Sequence, residues 1–273
     1  NNGVSYRVEM RMAAEAAGLA SRSYGTVTSA VPADRARLRN QGALLKEVRE
    51  LLTLSRGYGM ESVRQRAMST AETVSASLSE VVDDSALELV VDLRLAFGRL
   101  LAALGANERA EKEHLDTAEL SLSQGWTETA CAALALASHA AQARGDRASS
   151  GRAWRKCREA MGAWPMNRPG ERCGTLVDAV GDPLVALQVL SALAEILVDG
   201  VEEDHSRAPI IREIISRASE QTSRCVNPPQ GAVESLARVE ERIAPYGRGR
   251  GGRRRPGSTT TIRTDGRAAS EGE

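Results

Sequence analysis

"LLAALGANERAEKEHLDTAELSLSQGW", residues 100–126, is the stretch on which the fold turns. A leucine-rich run stops at Gly105, and a charged amphipathic run begins at once. Upstream, "SALELVVDLRLAFGRLLAALG" (85–105) carries Leu87, Val90, Val91, Leu95, Gly98, Leu101 and Leu104 at the spacing of one helix face. Ser85 followed by Glu88 is a capping-box pattern. Gly105 suits a helix stop, because glycine enters the left-handed region without a Cβ penalty. Downstream, Asn107 is expected to cap a helix running to about Gln124. Thr127 should cap a third helix ending at Gly145, and Asp146 a fourth ending near Gly162. Connections this short make consecutive helices antiparallel neighbours.

The pattern extends outward. No proline occurs between Pro32 and Pro165, so nothing in that span breaks a helix interior. "LRNQGALLKEVRELLTLSRG" (38–57) reads as helix, as does 60–82. A Pro- and Gly-containing loop is expected over 165–174, then helices near 173–180, 183–199, 207–224 and 230–243. Alternating β-branched runs joined by Asn-Gly or Asp-Gly do not occur. Aromatic residues make up only 3% of the chain, with Phe97 the single phenylalanine, so Leu, Ala and Val must fill the core. Close alanine-mediated helix contacts suit such a composition, whereas sandwiches and barrels draw on aromatic and β-branched residues. The expected fold is all-α, with antiparallel helical hairpins stacked on one another. Three parts are expected: an N-terminal helical segment (1–37), a helical-repeat domain (38–244) and a Gly/Arg-rich tail (245–273). The tail composition cannot bury a core and predicts disorder.

Formal net charge is zero over 273 residues, so overall charge argues neither for nor against a nucleic-acid partner. Cys131, Cys157, Cys173 and Cys225 show no C-x-x-C spacing. They read as reduced thiols in a cytoplasmic protein rather than zinc ligands or a disulfide framework. No apolar run reaches the roughly 20 residues needed to cross a bilayer.

Gly105 and Gly145 each close an Ala/Leu-rich helix and open a polar one, 40 residues apart. Seven residues before the first glycine stands Gly98; five and twelve after it stand Ala110 and Thr117, with Ala118 adjacent. The corresponding places around Gly145-Asp146 hold Ser138, Ser150 and Cys157. Small residues at these offsets let helices approach closely. In this respect the segment 85–164 resembles a tetratricopeptide repeat, of the longer-period kind found in large bacterial signal-responsive transcription regulators. It departs from that family in its period of 40 rather than 34, in its scarcity of aromatics and in lacking the terminal proline. The resemblance implies a non-enzymatic module that binds a protein or peptide on a concave surface and requires no cofactor.

Other signals are weaker. "AAEAAGLASRSYGTV" (13–27) resembles a helix-turn-helix, with Ala14, Gly18, Leu19 and Val27 at the packing positions. That resemblance would place Ser21, Arg22 and Ser23 at the start of a recognition helix. The tail "YGRGRGGRRRPG" (246–257) carries Arg248, Arg250, Arg253, Arg254 and Arg255 without an acid, a composition that attracts phosphate backbones. Direct nucleic-acid binding through these two segments is therefore the alternative reading. His114 stands among Glu111, Glu113 and Asp116, where a solvated charged face is expected rather than a metal site. His139 and His205 are isolated. No phosphate-binding loop, nucleophile elbow or H-E-x-x-H helix occurs.

Overall fold

The structure, a computed structural model, describes residues 32–78, 87–164 and 168–247. The helix-turn-helix stretch with Ser21, Arg22 and Ser23, the cap residue Ser85, and the tail arginines Arg248, Arg250, Arg253, Arg254 and Arg255 lie outside the described residues.

Ten α-helices account for most of the described residues, and none of these residues is in a strand. They are α1 (Pro32–Tyr58), α2 (Arg64–Leu78), α3 (Leu87–Ala103), α4 (Asn107–Ser123) and α5 (Thr127–Ala143), followed by α6 (Arg147–Gly162), α7 (Pro169–Val180), α8 (Pro183–Val198), α9 (Arg207–Arg224) and α10 (Gln230–Ile243). Short 3-10 turns precede α2 at Met60–Val63 and follow α10 at Ala244–Gly247.

Two boundaries differ from expectation for the same reason. Helix α1 begins at Pro32, ahead of residue 38, and α7 begins at Pro169, inside the anticipated loop. Proline has no N–H to give, but the first-turn N–H groups of a helix have no intrahelical acceptor, so proline fits there.

The connections after α3, α4 and α5 are three copies of one device. Gly105, Gly125 and Gly145 take φ of 83°, 71° and 82°. At the first, the Gly105 amide donates to the Ala102 carbonyl (3.0 Å) and the Ala106 amide to Leu101 (2.9 Å). Gly125 and Trp126 repeat the pattern onto Leu122 and Ser121, and Gly145 and Asp146 onto Gln142 and Ala141. This is the Schellman arrangement, which satisfies the last carbonyls of a helix and turns the chain sharply. The helix-capping position then falls at Ala106, Trp126 and Asp146. Asn107 and Thr127 are thus already helical and cap nothing, because the Schellman turn delivers the chain into the next helix one residue sooner. Asp146 does cap, its carboxylate accepting the Ser149 amide at 2.9 Å. The 40-residue period therefore consists of two 20-residue half-units of like backbone. Gly125→Ala should cost about 1 kcal/mol, a backbone penalty alone, since a methyl there meets no atom within 4 Å. Thermal unfolding of the variant checks it, and an unchanged midpoint would contradict the left-handed turn.

Helices α3, α4 and α5 each pack closely against the next in sequence. Helix α5 is central. Thirteen of its residues, from Glu128 to Ala141, are buried, and it touches α3, α4, α6, α7 and α8. A helix apolar on all sides must be buried, and alanine in "TACAALALASHAA" lets several neighbours come close. The core falls into two clusters. One joins α1, α2 and α3 through Leu45, Val48, Leu51, Val74, Leu93 and Phe97. The other runs from α5 to α10 through Leu134, Leu176, Leu187, Leu193, Ile211 and Ile214. In the C-terminal half α8 is the hub, packed against α5, α6, α7, α9 and α10. Helices α3 and α5 meet only over a short stretch. No helix among the described residues is long and apolar enough to cross a membrane.

Candidate functional site

The small residues at the repeat offsets are buried except Ser150, which is half-buried. Ala110, Thr117 and Ala118 are buried on α4, with the Thr117 hydroxyl donating to the Glu113 carbonyl at 2.6 Å. Ser138 of α5 and Ser150 of α6 touch directly. Their hydroxyls are 3.0 Å apart, and the Ser138 hydroxyl also lies 3.0 Å from the Ser150 carbonyl. Cys157 packs against Cys131, its thiol 3.4 Å from the Cys131 carbonyl. Cys131, Cys157 and Cys173 are buried and Cys225 is half-buried; all four thiols are free. Burial pushes the Cys173 thiol up to about 12, and the Cys131 contact followed by burial raises Cys157 far above the ordinary thiol range. Such thiols stay protonated and are poor nucleophiles.

The surroundings of His114 overturn the solvated face expected for it. His114 is 1% exposed and Glu111 7% exposed. The imidazole lies over Gly98 of α3, where any Cβ would collide with it. Its Nδ1 has no hydrogen-bond partner among the described residues. Burial, with a smaller contribution from the Arg99 charge, depresses its pKa to about 3, so the ring is neutral. Glu111 faces inward as well and is neutralised by Arg144 of the α5 C-terminal turn, which also contacts Asp146 at 3.2 Å. The acids surrounding His114 in sequence diverge in space, and among the described residues no three His, Cys, Asp or Glu side chains are grouped to hold a metal ion. His139 is exposed, and His205 stacks at a tilt on Tyr246 with ring centroids 4.8 Å apart.

A separate concavity lies away from His114. A cleft of about 1080 Å³ runs between α1 and α3 on one side and α7, the start of α8 and the end of α9 on the other. Its walls include the apolar Leu52, Val177, Ala179 and Pro183. Its charges are five arginines, Arg49, Arg56, Arg99, Arg168 and Arg224, set against Asp92, Glu171, Asp178 and Asp182. Some of these charges are already matched. Arg168 pairs with Glu171 at 3.4 Å. Asp182 caps α8, one oxygen accepting the Leu184 and Val185 amides at 2.9 and 3.1 Å. Arg56 donates to the Gly181 carbonyl at the C-terminus of α7.

Arg99 is the outlier of this group. It is half-buried, and it forms no hydrogen bond or ion pair among the described residues. Desolvation, then the charges of Arg56 and Arg49, lower its pKa to about 10, with Asp182 the one opposing charge. Its guanidinium lies against Gly181, where φ is 60° and a Cβ would overlap it. An arginine in this state remains charged at neutral pH. The sequence signal for the cluster is faint. Arg49 and Arg56 stand seven residues apart, two turns of one helix face, but nothing local announces that Arg99 joins them.

Comparison with protein-family models, with curated proteins and with solved structures finds no match for this chain.

Proposed function

We propose that this chain is a protein–protein interaction module whose cleft receives a segment of a partner protein. In this reading it is non-catalytic and cytoplasmic, and forms the regulatory part of a bacterial transcription regulator. The finer architecture proposed is a tetratricopeptide-like stack in which each 40-residue hairpin comprises two 20-residue half-units. The observation that carries the docking reading is the cleft. At about 1080 Å³ it slightly exceeds the usual range for a small-molecule pocket, and it is bounded by the ends and flanks of several helices, as a groove for an extended chain would be. Its mixed apolar and charged lining resembles that of a protein interface more than that of a closed reaction chamber.

Site-specific photocrosslinking tests this. With a benzophenone side chain at Thr175, which lines the cleft, exposure of the full chain to a cell extract should yield a defined crosslinked protein. The same label at Ser219, on a separate groove bounded by Arg212 and Ile243, should not. Identical patterns from the two sites, or none from Thr175, would sink the docking reading.

A further inference from the structure

We propose that the groove between α6 and α10 is a binding site for a small neutral polyol, of the size of one or two sugar rings. The proposal stands apart from the docking reading, which concerns a different cleft.

Helices α6 and α10 both pack on α8, and the space between them forms a groove of about 590 Å³. That volume falls within the range of small-molecule sites. The state of its polar groups defines the ligand. Ser138 of α5, Ser191 of α8 and Ser235 of α10 line the groove and are 8%, 4% and 3% exposed. Each hydroxyl has one proton and two lone pairs. Ser138 donates its proton to the Ser150 carbonyl at 3.0 Å, Ser191 to the Ala232 carbonyl at 3.2 Å, and Ser235 to the Glu195 carboxylate. What remains to these hydroxyls is lone pairs, so a matching ligand brings hydrogen-bond donors.

The charges narrow the choice. Arg147, Arg158 and Glu195 line the groove, and Arg158 and Arg238 share the Glu195 carboxylate at 3.5 and 3.9 Å. An ammonium ligand would bring donors but would face two arginines around a carboxylate already matched. An anion would bring only acceptors, against the serine lone pairs. A neutral polyol brings many donors and no charge. Trp154 lines the same groove, half-buried. An indole offers the C–H face of a sugar ring an apolar surface, and its N–H can donate to a hydroxyl. The Gln142 and Gln188 amides, each holding a donor and an acceptor in one plane, suit neighbouring hydroxyls.

Two glycines leave room for such a ligand. Gly151 lies inside α6 and Gly231 near the start of α10, and both line the groove. Neither has a positive φ, and a Cβ at either would meet no atom within 4 Å. Neither backbone conformation nor packing therefore calls for glycine, which weakens a helix relative to alanine. A side chain at either place would narrow the space between α6 and α10.

The test titrates the full chain with glucose, galactose and maltose, read by tryptophan emission and saturation-transfer NMR, with adenosine and inorganic phosphate as comparators. At least one sugar should bind saturably with a Kd below about 10 mM. Trp154→Leu should abolish the emission change, although Trp126 and Trp164 remain, and should weaken binding by about tenfold or more. Gly151→Leu and, separately, Gly231→Leu should keep the helical circular dichroism, since leucine is the better helix former. Each should weaken sugar binding by about tenfold or more, by occupying the groove. Gly57→Leu adds the same bulk on α1, where it also meets no atom within 4 Å, and should bind as the parent does.

The proposal is overturned if none of the three sugars binds at that level, or if both groove variants bind them as the parent does. It is also overturned if adenosine or phosphate binds more tightly than every sugar with the same dependence on Gly151, which would assign the groove to a base or an anion. Should Gly151→Leu fail to fold, unchanged sugar affinity in Gly231→Leu and Trp154→Leu would overturn it equally.

Discussion

Gly98→Ala is expected to destabilise the fold by about 2 kcal/mol, read as a fall in the urea midpoint at constant slope. The sign is the informative part. At an ordinary interior helix position, replacing Gly by Ala stabilises by up to about 1 kcal/mol, because alanine loses less backbone entropy. Here the added methyl would lie 2.8 Å from Nδ1 and Nε2 of His114 and nearer still to Cε1. The ring is fully enclosed and cannot swing into solvent, so relief requires α3 and α4 to separate. Interiors are close-packed and resist such movement. The explanation makes a second claim. In a double-mutant cycle, His114→Ala should rescue Gly98→Ala by at least about 1 kcal/mol relative to additivity. Strict additivity would mean that the imidazole is not the obstacle.

That pair also shows where sequence reading succeeds and where it stops. A small residue seven places before a turn glycine is visible as a pattern, and the pattern places Gly98 at the α3–α4 contact. What fills the space above it is not visible, because His114 is surrounded in sequence by Glu111, Glu113 and Asp116. Charged neighbours suggest solvent, yet Glu111 turns inward with Arg144 as its counterion, and that arginine arrives from the far end of α5. The helices were legible because the apolar spacing and the turn glycines agree with each other at every boundary from Leu87 to Gly162. Caps were less so: Asn107 and Thr127 are good capping residues standing one place too late, and only the three-dimensional turn shows this. The cleft was illegible for a simpler reason. Arg56 of α1 and Arg99 of α3 reach Gly181, at the end of α7, across the cleft, and no local pattern encodes a meeting between segments so distant in sequence.

The second large effect is on pH dependence. Acidification from pH 7 to pH 5 should destabilise the parent protein by about 2 kcal/mol more than a His114→Leu variant. The ordinary histidine pKa of 6.5 is depressed to about 3 in the folded chain. Between those values the unfolded chain carries a proton on His114 that the native chain refuses. Stability therefore falls as pH drops through 6.5, by about 1.4 kcal/mol per pH unit, and the slope flattens near pH 3. Above pH 7 both states are neutral and the effect vanishes. Glu113 works in the opposite direction, because burial, the largest influence on it, raises its carboxyl pKa. It is present in both proteins, however, so the difference between their urea midpoints at each pH isolates the histidine. The absolute cost of His114→Leu does not enter, since only the change in that difference with pH is read. If His114→Leu leaves too little folded protein, His114→Gln removes the same titration with a polar side chain of similar reach. Parallel pH profiles for parent and variant would show that the imidazole accepts a proton in the folded state, and hence that the α3–α4 contact opens to water. A parent that loses about 2 kcal/mol relative to the variant between pH 7 and pH 5 would make His114 a plug of the hairpin interior, held neutral by the lack of solvent around it.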